Sequence, residues 1–366
     1  MGYAYIGSFN YSGSEGIHIC GFDERTGKLT YLKTVAPQVN AGSVCVNKEI
    51  LMATDEQDMG YVYVFRINPD NGELTEVECR DTLSANPSCI TLDEDGKFAV
   101  ITHFAVGDVV KIVVPGKNGG FESRLLSHDS VTSLYELKAD GSLGRLCDVG
   151  WHKDGPSPRT MLHKAYQRPH SRLYAENDLE GNRVYFFEAD DREEKLHYLQ
   201  SIPSGSGRDG ARVGAFHPTL PYLYVNYQNR PVIAQYDVSD EQNIRLVSEK
   251  NLLDTEETFA EGDNQSELMF HSEKPILYDF VRGKGYALVY VAEEKTGTLR
   301  LLQKLEMSCK DPRGAHFTPD GRFILIAGHN DNAVYTLEVE EDGTLKEREG
   351  SVPMSHPAAI GFYLRG

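Results

Sequence analysis

Short runs in which apolar and polar residues alternate dominate the chain, among them YVYVFRI, KFAVITHF, RVYFFEA and LYVNY, each bounded by Gly, Pro, Asp or Asn. A period of two sends successive side chains to opposite faces, as in a half-buried strand, and helical spacing is scarce. One turn phrase recurs. It reads DERTGKL, NPDNGEL, LKADGSL, EEKTGTL and VEEDGTL, closing on Leu29, Leu74, Leu143, Leu299 and Leu345. Two degenerate copies, ADDREEKL and SDEQNIRL, close on Leu196 and Leu246. Asp-Gly and Asn-Gly supply the positive φ that tight hairpins need. Most of these leucines lie 45 to 53 residues apart, with one interval of 69 between Leu74 and Leu143. Seven all-β units of this length predict a seven-bladed β-propeller of four-stranded antiparallel blades, a single domain over residues 1–366. The long interval predicts an insertion in the third blade, at about Val114 to Pro158.

A second phrase repeats at the opposite phase, as in NPSCITLDEDGKFAVITHF, GARVGAFHPTLPYLYVNYQN and PRGAHFTPDGRFILIAGHNDN. Each has a short strand, a Pro/Asp/Gly turn and a second strand ending in a polar loop, which predicts the first two strands, A and B, of a blade. The C-terminal HPAAIGFYLRG holds only an A-type strand, and the N-terminal stretch holds B, C and D. The two ends are therefore expected to complete one blade, closing the ring and removing exposed sheet edges.

That layout locates the chemistry. The starts of the A strands and the B–C loops share one end of the blades and surround the central channel, where ligands of a propeller are expected. Six residues before the A–B turn proline stand His163, Arg212 and Arg313, with Ser88 in the matching position of the third blade. The B–C loops at the same mouth carry Glu56, His103, Asp178, Gln228, Arg282 and His329. His170 and His217 fall at A–B turns on the far end. Arginines converging on one channel suit an anionic ligand or a developing oxyanion, because the guanidinium fork matches carboxylates and phosphates.

Composition narrows the partners. A formal net charge of −18 argues against nucleic acid and anionic membranes, while leaving room for a local basic site. No apolar run reaches membrane-spanning length, and the N-terminal MGYAYIGSFNYSG has no secretory pattern. The six cysteines form no CxxC pair, which fits reduced thiols in a cytoplasmic protein. No metal-ligand spacing is present, so no metal or cofactor is expected.

The phrases PRGAHFTPDGRFILIAGHNDNAVYTLEV, GARVGAFHPTLPYLYVNYQN and GSFNYSGSEGI resemble the lactonase-type seven-bladed propellers, from Tyr5 to Tyr363. That family includes propeller-type 6-phosphogluconolactonases and carboxy-cis,cis-muconate cyclases. The resemblance implies a site of one histidine, two arginines and a glutamate. LHKA matches the histidine phrase at His163, GARV the first arginine phrase at Arg212, and FVRG the second at Arg282. The glutamate position is Gln228, in NYQN, and Val213 stands where the first arginine phrase has histidine. The implied activity is hydrolysis of a sugar lactone. His163 would act as general base on water or pass a proton to the ring oxygen, and Arg212 and Arg282 would hold the oxyanion. Arg313, His329 and His103 would hold a phosphate or carboxylate handle. The loss of charge at Gln228 leaves two alternatives open, a lactone-forming isomerase like the muconate cyclases and a non-catalytic propeller that binds a small ligand or a protein.

Overall fold

In the computed structural model, residues 2–9, 15–104, 110–115, 120–126, 130–152, 160–252 and 258–364 are described. They form seven four-stranded antiparallel sheets and one separate two-stranded hairpin. The innermost A strands are β30 (Pro357–Tyr363), β4 (Ala41–Asn47), β8 (Pro87–Leu92), β14 (Leu162–Gln167), β18 (Ala211–Phe216), β22 (Asn264–Phe270) and β26 (Pro312–Phe317). Burial follows position in the blade. The B strands β5 (Ile50–Asp55), β9 (Phe98–His103) and β27 (Phe323–Gly328) are buried at every residue, whereas the outermost β21 (Arg245–Asn251) is mostly exposed. Strands covered on both faces by neighbouring blades read as continuous apolar runs, and outer strands do not.

The ring closes as the sequence predicts. β30 pairs with β1 (Gly2–Ser8), which continues into β2 (Ile17–Asp23) and β3 (Lys28–Val35). The insertion lies elsewhere than expected. Val131–Leu137 and Leu143–Trp151, inside the range 114–158, are the regular third and fourth strands of their blade, β12 and β13. The extra chain is instead a hairpin, β10 (Val110–Pro115) and β11 (Phe121–Leu126), between β9 and β12, so it is a long B–C excursion on the mouth side. The long interval ends at Leu143, the first residue of β13, so the added residues had to precede that strand. The Gly/Pro-rich GWHKDGPSP drew the expectation too far downstream, and its residues 153–159 fall outside the described residues.

The recurrent turn does more than reverse the chain. Its glycines Gly27, Gly72, Gly141, Gly297 and Gly343 all have positive φ. Their carbonyls accept hydrogen bonds from the preceding blade: Tyr5 Oη to Gly72 at 3.0 Å, Asn47 Nδ2 to Gly141 at 3.2 Å, Tyr224 Oη to Gly297 at 2.6 Å and Tyr278 Oη to Gly343 at 2.9 Å. Thr336 Oγ1 reaches Gly27 at 3.5 Å across the closing joint. The two degenerate turns substitute ion pairs, Lys97 with Asp191 at 3.0 Å and Arg168 with Glu241 at 2.9 Å.

These joints leave no room for a side chain. A Cβ on Gly72 would stand 2.4 Å from the Tyr3 ring, whereas one on Gly96, also at positive φ, would meet nothing within 4 Å. Gly96→Ala is therefore expected to cost about 1 kcal/mol, the strain of a left-handed alanine. Gly72→Ala is expected to cost about 2 kcal/mol more, because the Tyr3 ring must shift. Urea unfolding of the two variants side by side measures the difference.

Candidate active site

Close to the start of every A strand the pairing with its B strand slips. The residues passed over are 42–43, 88, 163, 212–213, 266–267, 313 and 358. Such a bulge sets two residues against one and re-aims their side chains. Ser88, His163, Arg212 and Arg313, grouped by their distance from the turn proline, are all bulge residues. Strict alternation would send the residue after each to the other face. In the bulged strands both His163 and Lys164 line one cavity, as do Gly42 and Ser43, and Ser88 and Cys89.

The cavity is the mouth of the channel, about 890 Å³ in volume. Of the residues predicted from sequence, His163, Arg212, Gln228, Arg282 and Arg313 line it; His103 and His329 do not. Arg212, almost fully buried, donates from Nη1 to His163 Nε2 at 2.9 Å and to Gln228 Oε1 at 3.1 Å. Arginine has only protons to offer, so His163 must present a lone pair at Nε2 and carry its hydrogen on Nδ1. Burial, and then the charges of Arg212, Arg313, Lys164 and Arg282, hold the His163 pKa well below the usual histidine value. His163 is therefore neutral, with its basic nitrogen engaged by a cation. The general-base role expected for it conflicts with this arrangement, because an imidazolium there would face four positive neighbours. Its geometry suits a group that orients Arg212.

The other cations are held differently. Arg282 Nε lies 3.9 Å from Asp311 Oδ1, and burial together with Arg313 lowers the Arg282 pKa to about 10. The Arg313 guanidinium stacks 4.3 Å from the centre of the Phe9 ring. Arg212 is pushed well below the ordinary arginine value by burial, then by Arg282 and Arg313. In the same cavity Lys164 Nζ pairs with Glu267 Oε2 at 3.1 Å, beside His316, whose pKa burial lowers to about 4.

His329 sits behind Phe9, edge to its ring at 5.6 Å between centroids, so Phe9 screens it from the cavity. His103 is completely buried in its blade, with Nδ1 3.2 Å from the Val131 carbonyl. Both were expected as contacts for a ligand handle; having the right loop did not bring either side chain to the channel. Asp178 accepts the backbone N–H groups of Met161 and Gly181 at 2.9 and 2.8 Å, as a turn residue does. His170 is on the far side, in a turn beside Glu94. Sequence reasoning missed Lys164, Glu267 and His316 and left Glu56 out of the site. The signal was the bulge itself: Glu267 is one of the residues passed over and Lys164 follows one, which only pairing with the B strand reveals.

Three arginines and a lysine face two glutamates in one cavity, so positive charge is in excess there. The fold and the whole length of the chain place the protein in a family. Residues 3–362 match the family described as lactonase, 7-bladed beta-propeller, and the protein belongs to that family. It is 22% identical to a 6-phosphogluconolactonase of Bacillus subtilis over 98% of this chain and 97% of that one. It is 26% identical to a 6-phosphogluconolactonase of Klebsiella pneumoniae over 92% of each. A periplasmic gluconolactonase of Pseudomonas aeruginosa has the same fold, with a TM-score of 0.83 and 18% identity over 100% of this chain and 99% of that one.

Like charges that crowd a site destabilise the empty protein. Arg212→Met is expected to melt at the same temperature as wild type or higher. Millimolar inorganic phosphate is expected to raise the wild-type melting temperature and to raise that of the variant less. Calorimetry of both proteins checks the pair of outcomes.

Proposed function

We propose that this protein hydrolyses the ring ester of a sugar lactone that carries an anionic group, in the manner of a 6-phosphogluconolactonase. The observation that carries this reading is the hydrogen-bonded set of His163, Arg212 and Gln228, with Arg282 on the adjoining blade, in a cavity with excess positive charge. The relatives named as lactonases support it. In the reaction, the carbonyl oxygen gains negative charge as water attacks. Arg212 and Arg282 stabilise that oxyanion, held in place beforehand by His163, Gln228 and Asp311. Arg313, braced on Phe9, takes the phosphate or carboxylate of the substrate.

Gln228 favours a second reading, in which the protein binds such an anion without turning it over, because a neutral amide cannot act as a base toward water. The two readings part in one experiment. Purified protein is incubated with δ-lactones of gluconate and 6-phosphogluconate, and ring opening is followed after subtraction of the spontaneous rate. The proposed function expects faster opening of the phosphorylated ring, and a loss of about 100-fold or more in kcat/KM for Arg282→Ala. Binding without acceleration of either lactone would establish the second reading. Equal rates for wild type and His163→Ala would remove His163 from the reaction.

A further inference from the structure

Opening a lactone requires a group that takes a proton from water and returns one to the ring oxygen. The residues that surround the carbonyl position are poorly suited to it: His163 has its basic nitrogen on Arg212, and Gln228 is an amide. One carboxylate enters the cavity from the other side of the ring. Glu56 follows β5, in the B–C loop of the second blade, and lines the same space as Arg212, Arg313 and His163. Its main chain is pinned on both sides. The Glu56 N–H donates to the Asn40 carbonyl at 3.0 Å, and Asn40 Nδ2 donates to the Glu56 carbonyl at 2.7 Å.

The path of the side chain depends on one glycine. Gly42 is the bulge residue of its blade, the counterpart of His163, Arg212 and Arg313. Its φ is not in the left-handed region, so the backbone does not require glycine there. The observed position of the carboxylate does: a Cβ on residue 42 would lie 2.1 Å from Glu56 Oε2 and would push it aside. Ala358 and Ser88, the bulge residues of the two adjoining blades, are also small and also line the cavity. The ring therefore has a cationic side, built from the fourth to seventh blades, and a side of small residues across which Glu56 reaches.

We propose that Glu56 is the proton-transfer residue of this site, a carboxylate supplied by the second blade where Gln228 of the fifth blade has none. This assignment rests on the lactone-opening reading. Glu56 takes a proton from water as the water oxygen bonds to the carbonyl carbon, and the carbonyl electron pair moves to the oxygen held by the arginines. The pair then returns, the bond between the carbonyl carbon and the ring oxygen breaks, and Glu56 gives its proton to the departing ring oxygen. The product acid ionises and releases its proton to solvent.

The charge environment suits that work. Burial raises the Glu56 pKa, and the charges of Arg313 on β26 and Arg212 on β18 oppose the rise, leaving it at about 7. His163, Arg282, Lys164, Glu267 and His316 face the same cavity, with Glu267 held by Lys164 at 3.1 Å. On its own blade, Asp55 is engaged by the Asn40 N–H at 2.8 Å and by Gln57 Nε2 at 2.7 Å, and Asp58 by Asn86 at 3.4 Å. A base with a pKa near the working pH combines a large ionised fraction with adequate strength.

The test is kcat and KM against pH for whichever lactone of the panel the wild type opens fastest. The wild-type rate is expected to climb up to about pH 7 and then level. Glu56→Gln is expected to lose about 100-fold or more in kcat, with KM changed less than about threefold, and to lose the climbing limb. Glu56→Asp keeps a limb at reduced kcat, and Gly42→Ala, which displaces the carboxylate without altering it, lowers kcat while the fold is intact by calorimetry. If Glu56→Gln does not fold, these two variants carry the test. An active wild type whose folded variants all keep kcat within about threefold and the same limb overturns the role of Glu56 alone. A wild type that accelerates no lactone overturns the proposed function and this role together.

Discussion

Closing seven blades into a ring brings seven innermost strands together around one narrow channel, and everything else in this protein answers to that convergence. At the mouth each A strand slips its pairing and presents one or two residues with no partner opposite. The slip is what allows consecutive residues, His163 with Lys164, to face the same space. It also makes the mouth a ring of equivalent positions, each free to carry a large charged side chain or none. Where the residue is small, its hydroxyl ties adjacent strands: Ser88 Oγ donates to the His163 carbonyl at 3.1 Å and Ser266 Oγ to that of Pro312.

Filling half of that ring with cations is costly. Two like unit charges about 8 Å apart repel by roughly 2 kcal/mol at an effective dielectric of about 20. Among the described residues no carboxylate is hydrogen-bonded to Arg212; its Nη1 meets a neutral imidazole and a neutral amide. The blade joints supply the rigidity that keeps such an arrangement in place. Tyrosines from one blade seat on the glycine turns of the next, and ion pairs replace them where the turn has lost its glycine. A framework stitched at its rim can hold an unfavourable centre.

The fold was legible because its repeat is written twice, in the glycine turns and in the A–B phrases, at a spacing that an all-β unit of four strands requires. The same phase relation set His163, Arg212 and Arg313 at one level, and it separated His163 from His170. It erred where the repeat carries no information about side-chain direction. His103 and His329 occupy the expected end of the blade, yet one turns into the blade and the other stands behind Phe9. The insertion was misplaced because a Gly/Pro-rich stretch looks alike whether it ends a strand or interrupts one. Lys164, Glu267 and His316 were invisible to a period of two, since a bulge shifts the period by one residue.

Glu56 shows why equivalent positions matter for chemistry. A carboxylate at position 228 would stand directly beside Arg212, whose guanidinium would hold it ionised and weaken it as a base. Reaching over Gly42 from another blade, Glu56 meets the same arginines through the cavity, and burial leaves it near neutrality. Gln228 meanwhile keeps the hydrogen bond that orients Arg212. In this arrangement the task of positioning the arginine and the task of moving the proton rest on different residues from different blades. Every blade opens a B–C loop onto the same mouth, and Glu56 reaches over a bulge residue, Gly42, that has no side chain to displace it.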